Sequence, residues 1–120
     1  MSNTTPVPLA PETPLRFHLR GIPLLNEAQT RGLVTNRLQV IERSGMSRPT
    51  IYSNYVVEPG EMSDKVSMTG LFSFLYHGLG YTLEDLAKMS FLDVFAVIQG
   101  SDIIAEGQIG LPHDTPEPTA

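Results

Sequence analysis

The sequence predicts a mainly α-helical fold with a small β-hairpin, of the winged helix-turn-helix kind. Three observations lead to this expectation. Residues 40–52 place a glycine between two stretches suited to short helices, a Pro59-Gly60 turn signal follows between two β-prone runs, and the second half holds two helix-capping patterns. An α+β fold with a central hairpin is the alternative.

The length and composition set limits on the class of protein. A chain of 120 residues supports one compact domain with tails, and 41% hydrophobic residues are enough for a modest core. The lack of cysteine excludes disulfides, thiolate zinc sites and thiol nucleophiles. No signal peptide is evident, and no apolar run approaches the roughly 20 residues of a membrane span. These absences are compatible with a cytoplasmic protein and give no reason to expect a membrane partner.

Charge is distributed unevenly along the chain. Residues 1–55 contain six arginines and three glutamates, whereas residues 56–120 contain two lysines and ten acidic residues, within a net charge of −5. This asymmetry fits a first half that faces DNA and a second half that avoids it. Chance variation in a small protein is the other explanation.

The domain organisation follows from composition. Residues 1–14 are rich in proline and predict a flexible arm, and residues 109–120 predict a similar tail. Residues 15–108 would form a single compact domain. Within it we expect a helix-turn-helix over about residues 24–66 and an aromatic helical part over about residues 68–104.

The first elements are short. Residues 15–20 alternate apolar and polar side chains, which predicts a strand. Asn26 is a candidate N-cap for a helix over about residues 27–31, which Gly32 would end.

The next stretch carries the motif. Asn36 can cap a helix over residues 37–44, with Leu38 and Ile41 on its inner face, and Gly45 can end it. Met46 can then pack in the angle between two helices.

A second helix over residues 47–54 would begin at Ser47 and turn Ile51 toward the core. Arginine and hydroxyl side chains on such a helix can read base edges in the major groove of DNA. The expected DNA-binding residues are Arg37, Arg43, Ser47, Arg48, Thr50, Tyr52 and Ser53.

A β-hairpin over the same residues is the competing interpretation. Residues 38–42 and 50–57 would be its strands, because the second of these runs is rich in β-branched and aromatic side chains. Pro49 suits the intervening loop but is equally tolerated in the first turn of a helix. The residues alone leave both structures open.

Beyond the motif, residues 55–68 predict a hairpin or wing around Pro59-Gly60. Two capping boxes, Thr82 with Asp85 and Ser90 with Asp93, predict helices over about residues 83–89 and 91–99. Gly100 would end the second, and Ile103 and Ile104 would add one more short element.

The aromatic side chains of the second half have two explanations. They form either the hydrophobic core or an interface between copies of the chain in a homo-oligomer. The candidate interface residues are Phe72, Phe74, Tyr76, Phe91 and Phe95.

No residue pattern predicts catalysis or a cofactor. The histidines His18, His77 and His113 lie far apart without metal-ligand spacing, and no nucleophile elbow surrounds any serine. We expect a non-enzymatic protein without metal or cofactor.

The run from Arg37 to Tyr52, Arg-Leu-Gln-Val-Ile-Glu-Arg-Ser-Gly-Met-Ser-Arg-Pro-Thr-Ile-Tyr, resembles the helix-turn-helix of AlpA-like phage regulators and excisionases. Their pattern is Val-Leu-x-x-Thr-Gly-Leu-Ser-Arg-x-Thr-Ile-Tyr, followed by a wing with Gly-Glu-Phe-Pro. Gly60-Glu61-Met62-Ser63 falls near that wing, with Ser63 in place of the proline and a slightly longer spacing. The resemblance covers about residues 34–66, and a looser one exists to the recognition region of TetR-type repressors.

This resemblance implies a sequence-specific regulator of phage or mobile-element type that binds duplex DNA. The rival expectation is a phage virion-assembly or structural protein, whose proline-rich arms would contact other virion subunits and which would not bind DNA.

Overall fold

The computed structural model describes residues 14–59 and 66–109. Helices predominate and a small antiparallel sheet accompanies them, so the predicted fold class is confirmed. Two helices continue as short stretches of π-helix, named π1 and π2 here. The elements in order are β1 (Leu15–Leu19), α1 (Gly21–Thr30), α2 (Arg37–Ser44), α3 (Arg48–Thr50) continued by π1 (Ile51–Tyr55), α4 (Met68–Phe72) continued by π2 (Ser73–Gly78), α5 (Leu83–Lys88), α6 (Phe91–Val94), β2 (Phe95–Gln99) and β3 (Asp102–Ala105).

The sheet joins the start of the described chain to its end. Its strand order is β1-β2-β3, both pairings are antiparallel, and Leu19 lies opposite Phe95. Strands β2 and β3 form a hairpin whose turn contains Gly100 at φ 64°.

The hairpin therefore lies elsewhere than the wing that the sequence predicts. In residues 56–59 and 66–67 the structure has no strand, and the expected wing residues Gly60, Glu61, Met62 and Ser63 lie outside the described residues. Most of the predicted arm and tail lies outside them as well.

Strand β1 (Leu15–Leu19) confirms the strand predicted over residues 15–20, but burial along it changes from exposed at its start to buried at its end and does not follow polarity. His18 and Arg20 are buried, whereas Leu15 and Phe17 are exposed. A buried charge needs compensating partners, and Arg20 has them. Its guanidinium forms an ion pair with Glu106 (Nε to Oε1, 2.9 Å) and donates hydrogen bonds to the carbonyls of Asp93 and Ile109. We call this set of contacts the Arg20 clasp.

Helix α1 begins at Gly21, five residues before the N-cap predicted at Asn26, so that boundary was wrong. Pro23 lies in its first turn, where the missing N–H has no helical partner to lose. A Cβ on Gly21 would lie 1.7 Å from the carbonyl oxygen of Tyr55, so only glycine fits at this contact. The helix ends at Thr30, and Gly32 follows with φ 78°.

The core is shared by both halves of the chain. Val40 of α2 packs so closely on π2 that a Cβ on Gly78 would lie 3.1 Å from its Cγ1. The rings of Tyr55 and Phe74 stack with centroids 5.0 Å apart, and burial raises the pKa of Tyr55. The buried hydrophobic cluster consists of Leu19, Leu24, Leu25, Ala28, Val34, Val40, Ile51, Tyr55, Val56, Leu71, Phe74, Leu75, Leu79 and Tyr81.

Both capping boxes are present as predicted, at Thr82 with Asp85 and at Ser90 with Asp93. The predicted helix over residues 91–99 was wrong beyond Val94, because Phe95–Gln99 is strand β2. Inward and outward side chains alternate along β2, so pairing with β1 buries Ala96 and Ile98.

Candidate nucleic-acid interface

The motif forms two helices joined at a glycine, and the competing hairpin over residues 38–57 was wrong. Asn36 accepts a hydrogen bond from the Gln39 amide (2.9 Å) and caps α2, as predicted. Gly45 ends α2 at φ 77°, where a Cβ would meet no atom within 4 Å. The requirement for glycine at this turn is therefore one of backbone conformation and not of space.

The inner face of α2 differs in part from the prediction. Val40 is fully buried and Ile41 half-buried, but Leu38 is 50% exposed. Positions 38 and 40 lie about 200° apart around a helix, so the two side chains cannot both face the core.

The second helix begins where the sequence places it. The Ser47 hydroxyl accepts a hydrogen bond from the Thr50 amide (3.2 Å) and donates one to the Thr50 hydroxyl (2.9 Å). Pro49 occupies the first turn, and Ile51 is fully buried. The helix then widens into π1, where the Val56 amide donates to the Ile51 carbonyl (2.9 Å). The hydroxyl groups of Ser47 and Thr50 thus take part in the hydrogen bonds of the helix cap.

Two arginines meet over one tyrosine on the outer side of the motif. The guanidinium carbon of Arg37 lies 5.7 Å from the centroid of the Tyr52 ring, and that of Arg48 lies 5.9 Å from it. Both distances are typical of cation–π contacts. Tyr52 is half-buried and packs against the core, so it anchors two exposed cations that α2 and α3 supply. We call Arg37, Arg48 and Tyr52 the arginine–tyrosine cluster.

These two cations have no acidic partner among residues 14–59 and 66–109. The ion pairs in that part of the chain involve Arg20, Arg31 and Lys88 instead. Unpaired arginines on a helix-turn-helix are available for phosphate or base contacts. Ser53, on π1, is exposed as well.

Arg43 occupies a different position from the other two predicted arginines. Its Nη1 donates a hydrogen bond to the Leu33 carbonyl (2.9 Å) and lies beside Gly80. There it borders a polar cavity of about 360 Å³ together with Tyr76 and His77. This cavity is not predictable from local sequence patterns, because its walls come from separate elements.

The five candidate interface residues separate into two groups. Phe74 is completely buried and stacks on Tyr55, so it belongs to the core, contrary to its expected place at an interface. Phe72, Phe91 and Phe95 line an open apolar groove, and Tyr76 stacks on Phe72 with centroids 5.1 Å apart.

Tyr81 ties the motif's neighbouring helix to the second half. Its buried hydroxyl lies between the carbonyl of Leu24 (3.0 Å) and the carboxylate of Glu27. Burial raises the pKa of Tyr81, and the hydrogen bond with Glu27 adds to that effect. At the exposed cap of α5 the Thr82 backbone lowers the pKa of Asp85. These contacts are structural and do not form a reactive site.

Neither a metal site nor a membrane span is present in the described part of the chain. No three histidine, aspartate or glutamate side chains there converge as metal ligands, and His113 lies outside it. None of the helices described is long and apolar enough to cross a bilayer. Comparisons with protein-family models, with curated proteins and with solved structures found no match to this chain.

Sequence reasoning missed two features of the surface. Arg37 and Arg48 both lie near the Tyr52 ring because of the angle between two helices, which no local sequence pattern encodes. The sequence predicts Phe17 only as part of a strand, yet its ring packs edge-on against Phe91 with centroids 4.9 Å apart. The signal available in the sequence was that Phe17 stands between Arg16 and His18 in a run that alternates apolar and polar residues.

Proposed function

We propose that this chain is a non-enzymatic, sequence-specific DNA-binding regulator of the phage or mobile-element type. The observation that carries the proposal is the arginine–tyrosine cluster on a glycine-linked helix pair. Two exposed cations, which have no acidic partner among the residues that the structure describes, contact Tyr52 beside the N-terminal turn of the second helix, where the bases are contacted in helix-turn-helix complexes. The resemblance of residues 37–52 to AlpA-like regulators supports the regulatory role.

The roles of the cluster residues follow from their chemistry. Arg48 stands at the first position of α3, and its fork of donors suits O6 and N7 of guanine. Arg37, at the start of α2, suits a backbone phosphate. Tyr52 holds both guanidinium groups near their binding positions, which lowers the entropy lost on binding. Arg43 supplies a separate phosphate contact beside the polar cavity.

The net charge of −5 makes this local cluster decisive. An acidic protein gains no general attraction to DNA, so the association depends on a few arginines and on salt. A single helix-turn-helix unit contacts only a short stretch of DNA, and dimers that bind two half-sites are the usual arrangement. Self-association of this chain stays a prediction.

We expect Arg48→Ala to weaken specific DNA binding by about 1–3 kcal/mol, because a bidentate contact with one base is lost. Arg43→Ala should weaken binding to all sequences alike and reduce the dependence of affinity on salt. Gel shifts with genomic fragments at two salt concentrations measure both effects. Arg31→Ala is the matched control, because Arg31 is exposed but already paired with Asp85. A full-length protein without salt-sensitive binding to any duplex would contradict the proposal.

A virion-assembly or structural role is the second candidate. The exposed apolar side chains Phe17, Met68, Phe72 and Phe91 favour it, since contiguous apolar surfaces mark protein contacts. Co-purification with particles in the absence of DNA binding would support this role.

A further inference from the structure

An apolar groove runs between α4, α5 and α6. Its volume is about 280 Å³, and among residues 14–59 and 66–109 Ser90 is its only polar lining residue. Met68 at its rim is 79% exposed and Phe91 is 51% exposed. No charged side chain lines the groove, so it does not suit a nucleic acid. The lining residues are Met68, Leu71, Phe72, Leu75, Leu86, Met89, Ser90, Phe91, Val94 and Phe95.

Aromatic rings extend this groove onto the sheet. Phe17 of β1 contacts Phe91 edge-on, and Phe91 lies 5.1 Å from Phe95 between centroids. Grooves lined by aromatic side chains bind proline-rich segments in the polyproline II conformation, which loses little entropy on binding. An apolar groove of this kind therefore suits an uncharged, proline-rich segment of polypeptide.

The chain contains one segment of that composition. Residues 6–11 read Pro-Val-Pro-Leu-Ala-Pro, six uncharged apolar residues in succession. Pro8 and Pro11 are three residues apart, so a polyproline II helix of three residues per turn would present both on one face. Residues 110–120 fit less well, because they carry Asp114 and Glu117 and lack prolines spaced by three.

The attachment point allows the segment to reach the groove. Residue 14 leads directly into β1, and Phe17 of that strand contacts Phe91, which lines the groove. The four steps from Leu15 to Leu19, which lies opposite Phe95, cover about 13 Å at the rise of a strand. Residues 6–13 would span about 25 Å in polyproline II. A short tether of this kind produces effective concentrations in the millimolar range.

We propose that residues 6–11 bind this apolar groove within the same molecule, with Pro8 and Pro11 against Phe72 and Phe91. The first segment of the chain thus covers the apolar surface that the helices leave open. This occupancy is independent of whether the arginine–tyrosine cluster binds DNA.

Paramagnetic broadening in the full-length chain tests the proposal. Because the chain has no cysteine, Thr5→Cys provides a single position for a nitroxide label. Methyl signals of Met68 and Met89, which line the groove, should lose most of their intensity. Met46 does not line the groove, and its signal should lose much less. The double variant Pro8→Gly/Pro11→Gly should restore the groove signals, whereas Pro112→Gly/Pro116→Gly should leave them broadened.

Two further measurements make the result decisive. Phe91→Ser should restore the Met89 signal, whereas Leu83→Ser, at an exposed apolar residue outside the groove, should not. Mixing spin-labelled protein with separately methyl-labelled protein identifies the source of the segment. Broadening in that mixture would mean that a neighbouring copy supplies it, which overturns binding within one molecule. Equal broadening of Met46, Met68 and Met89, or none, would overturn docking altogether.

Discussion

At the scale of single residues, His18 is the most unusual side chain of the sheet. Its ring is 3% exposed, hydrogen-bonds to the backbone of Val57, and leaves Nδ1 without a partner. Burial lowers the pKa of His18 from its usual 6.5, against the opposing influence of Glu58 and Glu106. The folded protein therefore prefers the neutral imidazole.

We expect the protein to lose stability as the pH falls below about 6.5. In the unfolded chain His18 binds a proton near that pH, whereas in the folded chain it does so only at lower pH. Between the two pKa values the unfolded state binds more protons, so the free energy of unfolding decreases as the pH falls. Urea unfolding at a series of pH values measures this slope.

His18→Gln should flatten that slope between pH 7 and pH 5. His77→Gln is the matched control for the substitution itself, because it makes the same change at an exposed position. If both variants keep the wild-type slope, carboxylates and not His18 govern the acid sensitivity.

At the scale of elements, the sequence predicts best where structure depends on neighbours along the chain. The caps at Asn36, Ser47, Thr82 and Ser90 are all present, because a capping side chain bonds to an amide only a few residues away. Glycine-dependent ends at Gly32 and Gly45 have the same local basis.

We expect Gly45→Val to destabilise the protein by about 1–2 kcal/mol or more, because a β-branched residue is strained in the left-handed region. Gly45→Asn should cost much less, since asparagine tolerates that conformation. Thermal unfolding of both variants measures the difference. Equal losses would mean that contacts of the turn, and not its backbone conformation, are responsible.

Elements that depend on distant partners were not predictable in the same way. Phe95–Gln99 follows a genuine capping box, yet it becomes a strand because β1, far away in sequence, pairs with it. The early start of α1 at Gly21 depends on contact with the Tyr55 backbone. The same holds for the candidate site. Its residue types and helix caps were predictable from the sequence, but the contact of Arg37 and Arg48 with the same tyrosine ring and the burial of Phe74 were not.

At the scale of the whole molecule, the glycine-linked helix pair of α2 and α3 is not a separable unit. Its helix α2 packs on π2 through Val40 and Gly78, and Tyr55 stacks on Phe74. The acidic second half is thus the support of the arginine-bearing first half.

The Arg20 clasp should contribute far more stability than the surface ion pairs. We expect Arg20→Ala to destabilise the protein by about 3–5 kcal/mol, because it leaves Glu106 and two carbonyls without their donor. Arg31→Ala removes the more exposed pair with Asp85 and should cost no more than about 1 kcal/mol. Chemical denaturation of the two variants compares them directly. Similar losses would mean that Arg20 contributes little beyond a surface pair.

The Arg20 clasp also has a consequence for synthesis on the ribosome. Strand β1 and Arg20 precede their partners by a long stretch of chain, because β2, Val94 and Glu106 follow more than 70 residues later. At about 5–20 residues per second, β1 stays without a partner for several seconds as the chain grows. A premature stop just before codon 106 would remove the carboxylate that Arg20 needs, whereas a stop after codon 109 would spare every contact of the clasp.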